Sequence, residues 1–303
     1  MFKVKPKIIR AKSRRQRTLA QEVVVSGGFG LWTGQDVTYS FRPAPENSGI
    51  RFVRDDLRGK PSVSVHVDNR VDNQRQTSLA MGESRVDMVE HVLAALRAMR
   101  VDNCEIVATA QEAPGFDGSA APFMQAFLEV GTVAQEAPRD VFQIIEPGEA
   151  LFDNGSSGTS SIKLLVDESN EKRCVFKYTL YYDVFKGIPN QEAVFDLNRP
   201  SKDYGEEIAP CRTFLTYEEA LALQSCGVCK KATTQNALVF DENGVRDNSL
   251  RFENECARHK LIDMTGDFAL LPIDWIGEFH AFKTGHKQNA LLMGALWDIV
   301  RES

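Results

Sequence analysis

The sequence predicts an α+β protein built from two similar βα domains, packed as a layered sandwich with the helices between the sheets. Short runs of strand character, broken by turn residues, dominate the early part of each half. Each half then carries one strongly apolar run at helical spacing that contains a histidine, and each closes with a strand and a terminal helix. No literal repeat accompanies this symmetry, so the duplication is one of element order. Two layers that bury their helix faces against each other would bring the two histidine helices together.

Taken in order, a basic N-terminal arm at 1–17 precedes an N-terminal α+β domain at 18–137 and a C-terminal one at 138–303. In the first domain, strands are expected at Thr18–Val25, Gln35–Arg42 and Ser62–Val67, with Pro43-Ala-Pro45-Glu-Asn-Ser-Gly49 as a loop. A helix follows within Ser84–Leu96, then a strand at Cys104–Ala108, a turn-rich Ala113–Pro122 and a helix at Phe123–Val130. The second domain restarts with strands at Phe142–Ile145, Ser161–Val166 and Arg173–Tyr182. It continues with a helix at Thr216–Ser225, a strand at Ala237–Phe240, a helix within Arg258–Leu271, a strand at Trp275–Lys283 and a helix at Lys287–Val300.

Composition excludes several classes. At 303 residues and 43% hydrophobic content the chain is a globular protein, and no apolar run approaches the roughly 20 residues of a membrane helix. Six scattered cysteines and the lack of a secretory leader point to a reducing cytoplasm. Cys226-Gly-Val-Cys229 lacks the second pair that a zinc knuckle needs, so both are read as ordinary thiols. The net charge of −6 conceals a basic beginning: Lys3, Lys5, Lys7, Arg10, Lys12, Arg14, Arg15 and Arg17 precede any acid, leaving −14 on the rest. Peripheral contact with anionic lipid or nucleic acid is one reading of that arm. A solvated tail or a charged edge strand is the favoured one, and no nucleic-acid partner is expected.

The chemistry gathers around Arg258-His259-Lys260-Leu261-Ile262-Asp263-Met264-Thr265-Gly266-Asp267. On a helix, His259 and Asp263 emerge one turn apart on one face, as two ligands of one Zn²⁺ would. His91 is the candidate third ligand, with Glu90 beside it as a base for activated water. Lys283-Thr284-Gly285-His286 offers a second histidine as an acid. Together they would suit a metal-dependent hydrolase. A surface His–Asp pair or a capped core histidine is the usual outcome of such spacing, and spacing alone does not establish the metal reading.

Several blocks, in order, resemble the UDP-3-O-acyl-N-acetylglucosamine deacetylases (LpxC), zinc amidases of lipid A synthesis. They are Val89-Glu90-His91, Phe116-Asp117-Gly118-Ser119-Ala120-Ala121-Pro122-Phe123, Arg212-Thr213-Phe214, Leu250-Arg251-Phe252-Glu253-Asn254-Glu255, Arg258–Asp263 and Phe282-Lys283-Thr284-Gly285-His286. The resemblance covers roughly residues 16–303. It implies His91, His259 and Asp263 as zinc ligands, Glu90 as general base and His286 as the acid oriented by Asp267. It further implies Thr213 as an oxyanion donor, Lys260 as a contact of the nucleotide phosphate, and Leu31 and Phe214 at the substrate. The implied substrate is a nucleotide sugar, with or without an acyl chain, handled by a monomer. A downstream dehydratase domain, which some relatives carry, is not expected after Ser303.

The chain also departs from the family pattern. Trp32 stands in Gly30-Leu31-Trp32-Thr33-Gly34 where a histidine is usual, and Leu215 replaces a glycine. Lys231-Ala232-Thr233-Thr234 occupies the place of a glycine-rich segment that lines the acyl passage. The catalytic set is thus intact and the lipid-reading set altered. A deacetylase for a short-acyl or non-acylated amino sugar, and a non-catalytic binding protein of the same fold, are the alternatives. His₂Asp sites also accept Fe²⁺ or Co²⁺, so the native metal is open.

Overall fold

The structure is a computed structural model that describes residues 1–155, 158–169, 171–182 and 185–302. It is a mixed α/β arrangement of several sheets and, among the described residues, six α-helices: α1 (Glu90–Ala98), α2 (Ala121–Val130), α3 (Ser201–Glu207), α4 (Tyr217–Ser225), α5 (Glu255–Phe268) and α6 (His286–Arg301).

In the first half, Val23–Phe29, Asp36–Pro43, Cys104–Ala108, Ile50–Arg54 and Ser62–Ser64 form a five-stranded sheet in that order. Period-two alternation buries Val37, Tyr39 and Phe41 on one face of the second strand. There the Phe41 ring meets Phe123 and Phe127 of α2 edge-on at 6.1 and 4.8 Å. Such pairs add about 0.5–1.5 kcal/mol each beyond the area they bury. α1 packs on both α2 and α5 and buries every residue but Arg97; beyond Glu90 and His91 the rest are apolar, as in a helix enclosed all round.

The second half holds an eight-stranded sheet centred on Asp274–Phe282. That strand runs parallel to Val141–Glu146 along its first residues and to Cys174–Leu180 from Gly277 onward. Gly277 marks the changeover with φ 145°, and a Cβ there would come within 2.7 Å of Ile144 and 2.9 Å of the Leu165 carbonyl. Only glycine fits such a junction. α5 lies on this sheet through Phe268, whose ring meets Phe176 at 4.8 Å and Phe279 at 5.1 Å. Where α1 meets α5 the backbones nearly touch: a Cβ on Gly266 would sit 2.1 Å from the Glu90 carbonyl oxygen.

Several expected elements are redrawn. Thr18–Val25 is two strands, because Arg14–Leu19 pairs with Thr132–Arg139 while Val23–Phe29 pairs in the five-stranded sheet. The Ser62 strand stops at Ser64, and a 3₁₀ turn at Val67–Asn69 follows, with His66 Nδ1 accepting the Asp68 N–H at 3.2 Å. The apolar run at Ser84–Leu96 is helical only from Glu90. Ser84–Val86 is a hairpin strand against Ser78–Met81, and Met88 at φ 58° breaks the run.

The basic arm is built into the fold. Phe2–Val4 pairs with Gly148–Asp153 and Lys7–Arg10 with Val141–Glu146, so both lie in the eight-stranded sheet of the second half. Its charges find acids far along the chain: Lys3 with Glu149, Lys7 with Glu146, Arg10 with Asp140 and Arg15 with Glu136. Arg14 goes deepest, bonding Asp102 with two nitrogens at 2.7 and 2.8 Å and Asp274 at 2.5 Å. Arg97 and Arg139 complete this largely buried cluster, Arg97 at 2.9 Å from Asp274 and Arg139 at 3.3 Å from both acids.

Candidate metal centre

The site forms where α1, α5 and α6 meet. α1 begins with Glu90 and His91, both buried, and Val89 N–H, one of the donors a helix start leaves free, bonds the Thr77 carbonyl at 3.1 Å. α5 presents His259, Asp263 and Asp267 from one buried face. Its start is held by a buried ion pair: Arg212 Nε donates to Glu255 Oε1 at 2.8 Å, and the Arg212 N–H to the same oxygen at 3.0 Å. This fixes the neighbouring Cys211 carbonyl, which accepts the His259 Nδ1–H at 3.0 Å. The tautomer is thereby set, and His259 Nε2 is left with its lone pair toward the site.

His91, His259 and Asp263 offer ligand atoms that all lie within 4.8 Å of one another. Asp263 Oδ1 is 3.3 Å from His259 Nε2 and 3.9 Å from His91 Nε2, and the two rings stand at 89°. Tetrahedral ligands about 2.0–2.1 Å from Zn²⁺ lie roughly 3.4 Å apart, so the three donors fit that ion. Burial lowers both imidazoles, with His259 adding to the effect on His91, which falls to about 3. Both are therefore neutral, as ligands must be. Burial would raise the Asp263 carboxyl, but Lys260, backed by the surrounding histidines, holds it far below the usual range.

Two further groups face the triad. Glu90 is pushed up to about 7 by burial, with Asp263 and Asp267 adding to it against His286 and the Thr77 N–H. His286 opens α6, where burial and the positive helix end both disfavour an imidazolium. The carboxylates of Asp267, Glu90 and Asp263 outweigh this and raise it to about 10. Its Nδ1–H points at Asp267 Oδ2, 3.1 Å away, and its Nε2 lies 3.8 Å from Glu90 Oε1 and 3.9 Å from Asp263 Oδ2.

The remaining sequence candidates stand further out. Lys260 donates to Asp263 Oδ2 at 2.8 Å and lies over the Phe214 ring at 5.4 Å, so its first partner is a carboxylate. Phe214 flanks the triad, its ring 6.2 Å from that of His259. The contacts of Thr213 and Leu31 run to the glycine turn instead. Thr213 N–H bonds the Gly118 carbonyl at 2.8 Å, and Leu31 is seated so closely on Gly115 that a Cβ there would lie 2.2 Å from it. Glu112 holds the Leu31 loop by accepting the N–H groups of Trp32 and Thr33 at 2.8 Å each. Sequence reasoning missed Thr77 and Asn289, both of which bond Asp267. Asn289 lies three residues beyond His286 on α6 and was recoverable from helical spacing. Thr77, just before the short Ser78–Met81 strand and with no chemical pattern around it, gave no signal.

A buried His₂Asp triad with a carboxylate and a carboxylate-backed imidazole on its open side has the makings of a metal-dependent hydrolase. Comparison with known proteins narrows the class. Residues 16–298 match the model of the LpxC family, described as UDP-3-O-acyl N-acetylglycosamine deacetylase. A UDP-3-O-acyl-N-acetylglucosamine deacetylase from Anaeromyxobacter is 37% identical over 92% of this chain and 87% of its own length. Its counterpart from Bdellovibrio bacteriovorus is 33% identical over 93% and 90%. A bifunctional LpxC/FabZ enzyme from Chlorobaculum tepidum is 35% identical over 90% of this chain, which spans only 62% of that longer protein. The chain belongs to the UDP-3-O-acyl-N-acetylglucosamine deacetylase family, a family of hydrolases.

Proposed function

We propose that this protein hydrolyses the acetamide of a UDP-3-O-acyl-N-acetylglucosamine, a step of lipid A synthesis, releasing acetate and the free amine. The observation that supports it best is the pairing of Glu90 and His286 across the open side of the triad, with His286 Nε2 3.8 Å from Glu90. His91, His259 and Asp263 would hold Zn²⁺, which when bound polarises the acetamide carbonyl and lowers the pKa of water toward about 7. Glu90 takes the proton of the attacking water. His286 delivers the Nε2 proton to the departing nitrogen, which leaves poorly as an anion. Asp267 keeps the Nδ1 proton in place through that transfer, and the Thr213 hydroxyl donates to the developing oxyanion. Lys260 spends one of its three donors on Asp263 and offers the others to the nucleotide phosphate. Phe214 and Leu31 line the sugar end.

In this reading the two halves are layered with α1 and α5 between their sheets, and a monomer carries the whole site. No helix among the described residues is long and apolar enough to cross a membrane. The proposed reading also sets the reaction in the cytoplasm. A second reading, a substrate with a shorter acyl chain, is favoured by Lys231. Its ammonium reaches Asp36 at 3.0 Å and lies 5.7 Å over Phe29, setting a cation where the family has glycine. Deacetylation rates on UDP-N-acetylglucosamine with a long, a short and no 3-O-acyl chain, alongside zinc analysis, test both. Turnover of none of them by zinc-loaded protein would overturn the proposal.

A further inference from the structure

A deeply buried polar group at the site that the reaction above leaves without a task is the Thr77 side chain, 1% exposed at the head of the Ser78–Met81 strand. All three polar groups of Thr77 are committed, each to a segment carrying the acid or the base. Its N–H donates to Glu90 Oε2 at 2.9 Å, and its carbonyl accepts the N–H of Val89 at 3.1 Å, immediately before Glu90. Its hydroxyl lies 2.5 Å from Asp267 Oδ1 and 3.2 Å from His286 Nδ1. An ionised Asp267 only accepts, so the hydroxyl proton points to Oδ1. Asp267 Oδ2 is meanwhile taken by His286 Nδ1–H and by Asn289 Nδ2 at 2.8 Å.

That pattern leaves the Asp267 carboxylate no freedom to rotate. Were the Thr77 hydroxyl absent, Oδ1 would keep only the longer 3.2 Å contact with His286 Nδ1, and the carboxylate would turn toward the donors that remained. His286 would turn with it and carry Nε2 off the line between the triad and Glu90. We propose that Thr77 is the positioning residue that locks acid and base into one register, its N–H orienting Glu90 while its hydroxyl orients the Asp267–His286 pair. This rests on the catalytic reading above. Thr77 touches neither the ligand triad nor the reacting atoms, and it acts through the residues that do.

The test separates the hydroxyl from the rest of the residue. Thr77→Val keeps the shape and the N–H but removes the hydroxyl, and Thr77→Ser keeps the hydroxyl without the methyl. In zinc-loaded protein, Thr77→Val is expected to lower kcat about 10–100-fold, the range for groups that orient a metal site's reacting residues, with KM and zinc content unchanged. Thr77→Ser is expected to restore kcat to within about threefold of the parent. Thr77→Ala against Thr77→Ser gives the same contrast if the valine variant is insoluble. A Val or Ala variant with parental kcat overturns the proposal. So does a Ser variant as slow as Val or Ala, which would assign the loss to packing. Glu90→Gln is measured in parallel. If it retains activity the catalytic reading itself falls, whereas a dead Glu90→Gln beside a fully active Thr77→Val sinks only the role of Thr77.

Discussion

Two buried clusters of charge join the halves of this molecule, and they are built on opposite plans. Around Asp274 and Asp102, three guanidiniums converge on two carboxylates, and Arg14 alone makes bonds of 2.5, 2.7 and 2.8 Å. Around Asp263, the facing atoms of His91, His286 and Glu90 stand 3.8–3.9 Å from their nearest counterparts, too far for a hydrogen bond. The first cluster is satisfied within itself and holds strands together. The second is held open by bonds that all lie on its outer side, to Cys211, Thr77, Asn289 and Lys260. A site that must accept an ion and a substrate keeps its inward lone pairs free, and the stability needed for this comes from its surroundings.

Removing a ligand is expected to do the most damage to function. His91→Ala, His259→Ala and Asp263→Ala should each lose bound zinc and, with it, deacetylation, because an open tetrahedral site has no ligand to spare. Substitutions at Asp274 or Arg14 should leave zinc stoichiometry intact. Metal analysis showing full zinc in all three ligand variants would erase the distinction between the clusters.

Next come the acid and the base. Glu90→Ala and His286→Ala should each lose about 10²–10⁴-fold in rate while keeping their metal. Unchanged activity of Glu90→Ala on the acylated substrate would mean that another group takes the proton.

The satisfied cluster should answer in stability instead. Asp274→Ala leaves three guanidiniums facing one carboxylate, and breaking a buried pair this way costs about 3–5 kcal/mol. Urea titration measures the loss. At temperatures where the variant is folded, kcat should remain within about twofold of the parent, since Asp274 touches nothing at the site. A large fall in kcat with unchanged stability would reverse the assignment.

The two clusters should also respond to pH with opposite sign. Arginines outweigh the burial of Asp274 and hold its carboxyl well below the unfolded value. Its contribution is therefore present above about pH 4 and is lost as pH falls toward the folded value. Glu90 is raised to about 7 by burial, so in chelated protein its ionisation opposes folding as pH climbs from about 4 to 7. Denaturation of metal-free protein should show Glu90→Gln more stable than the parent at pH 8 and equal to it at pH 4. Asp274→Asn should be weaker at pH 7, with the gap closing at low pH. Parallel pH curves for the two variants would contradict this.

The smallest effect belongs to Lys231. Its pair with Asp36 is solvent-exposed, and such pairs are worth under about 1 kcal/mol, so Lys231→Gly should barely move stability. If the cation limits the acyl passage, the variant's kcat/KM should rise more steeply with chain length, toward the ~0.8 kcal/mol per methylene of full burial. An equally steep rise in the parent would show that the passage runs clear of Lys231.

Much of the site was legible because its residues fall on helices, where spacing states direction. His259, Asp263 and Asp267 repeat at four-residue intervals, and α5 presents all three from one buried face. The pairing of His91 with them needed the two halves to meet, which element order suggested and family resemblance strengthened. Thr77 was invisible because its role comes from where a short hairpin strand begins, and no periodicity encodes that. The bond from the Lys260 ammonium to Asp263, three residues on, is a further contact that helical spacing could have shown. The Ile50–Arg54 strand went unnoticed because five residues after a loop carry too short an alternation to register. The arm's charges could be counted in the sequence, but their acidic partners lie at least 88 residues away.

Those first strands have a consequence for how the chain reaches its shape. Lys7–Arg10 can only settle after Val141–Glu146 exists, and Phe2–Val4 only after Gly148–Asp153. During synthesis the earliest residues thus wait, unpaired, for nearly half the protein to follow them. Arg14 waits longer still, since Asp274 lies 260 positions ahead. Contacts this distant raise the entropy of loop closure and slow the final assembly. A domain emerging first would ordinarily fold first. Here the opening strands belong to the later half, so that half is not completed by its own residues alone.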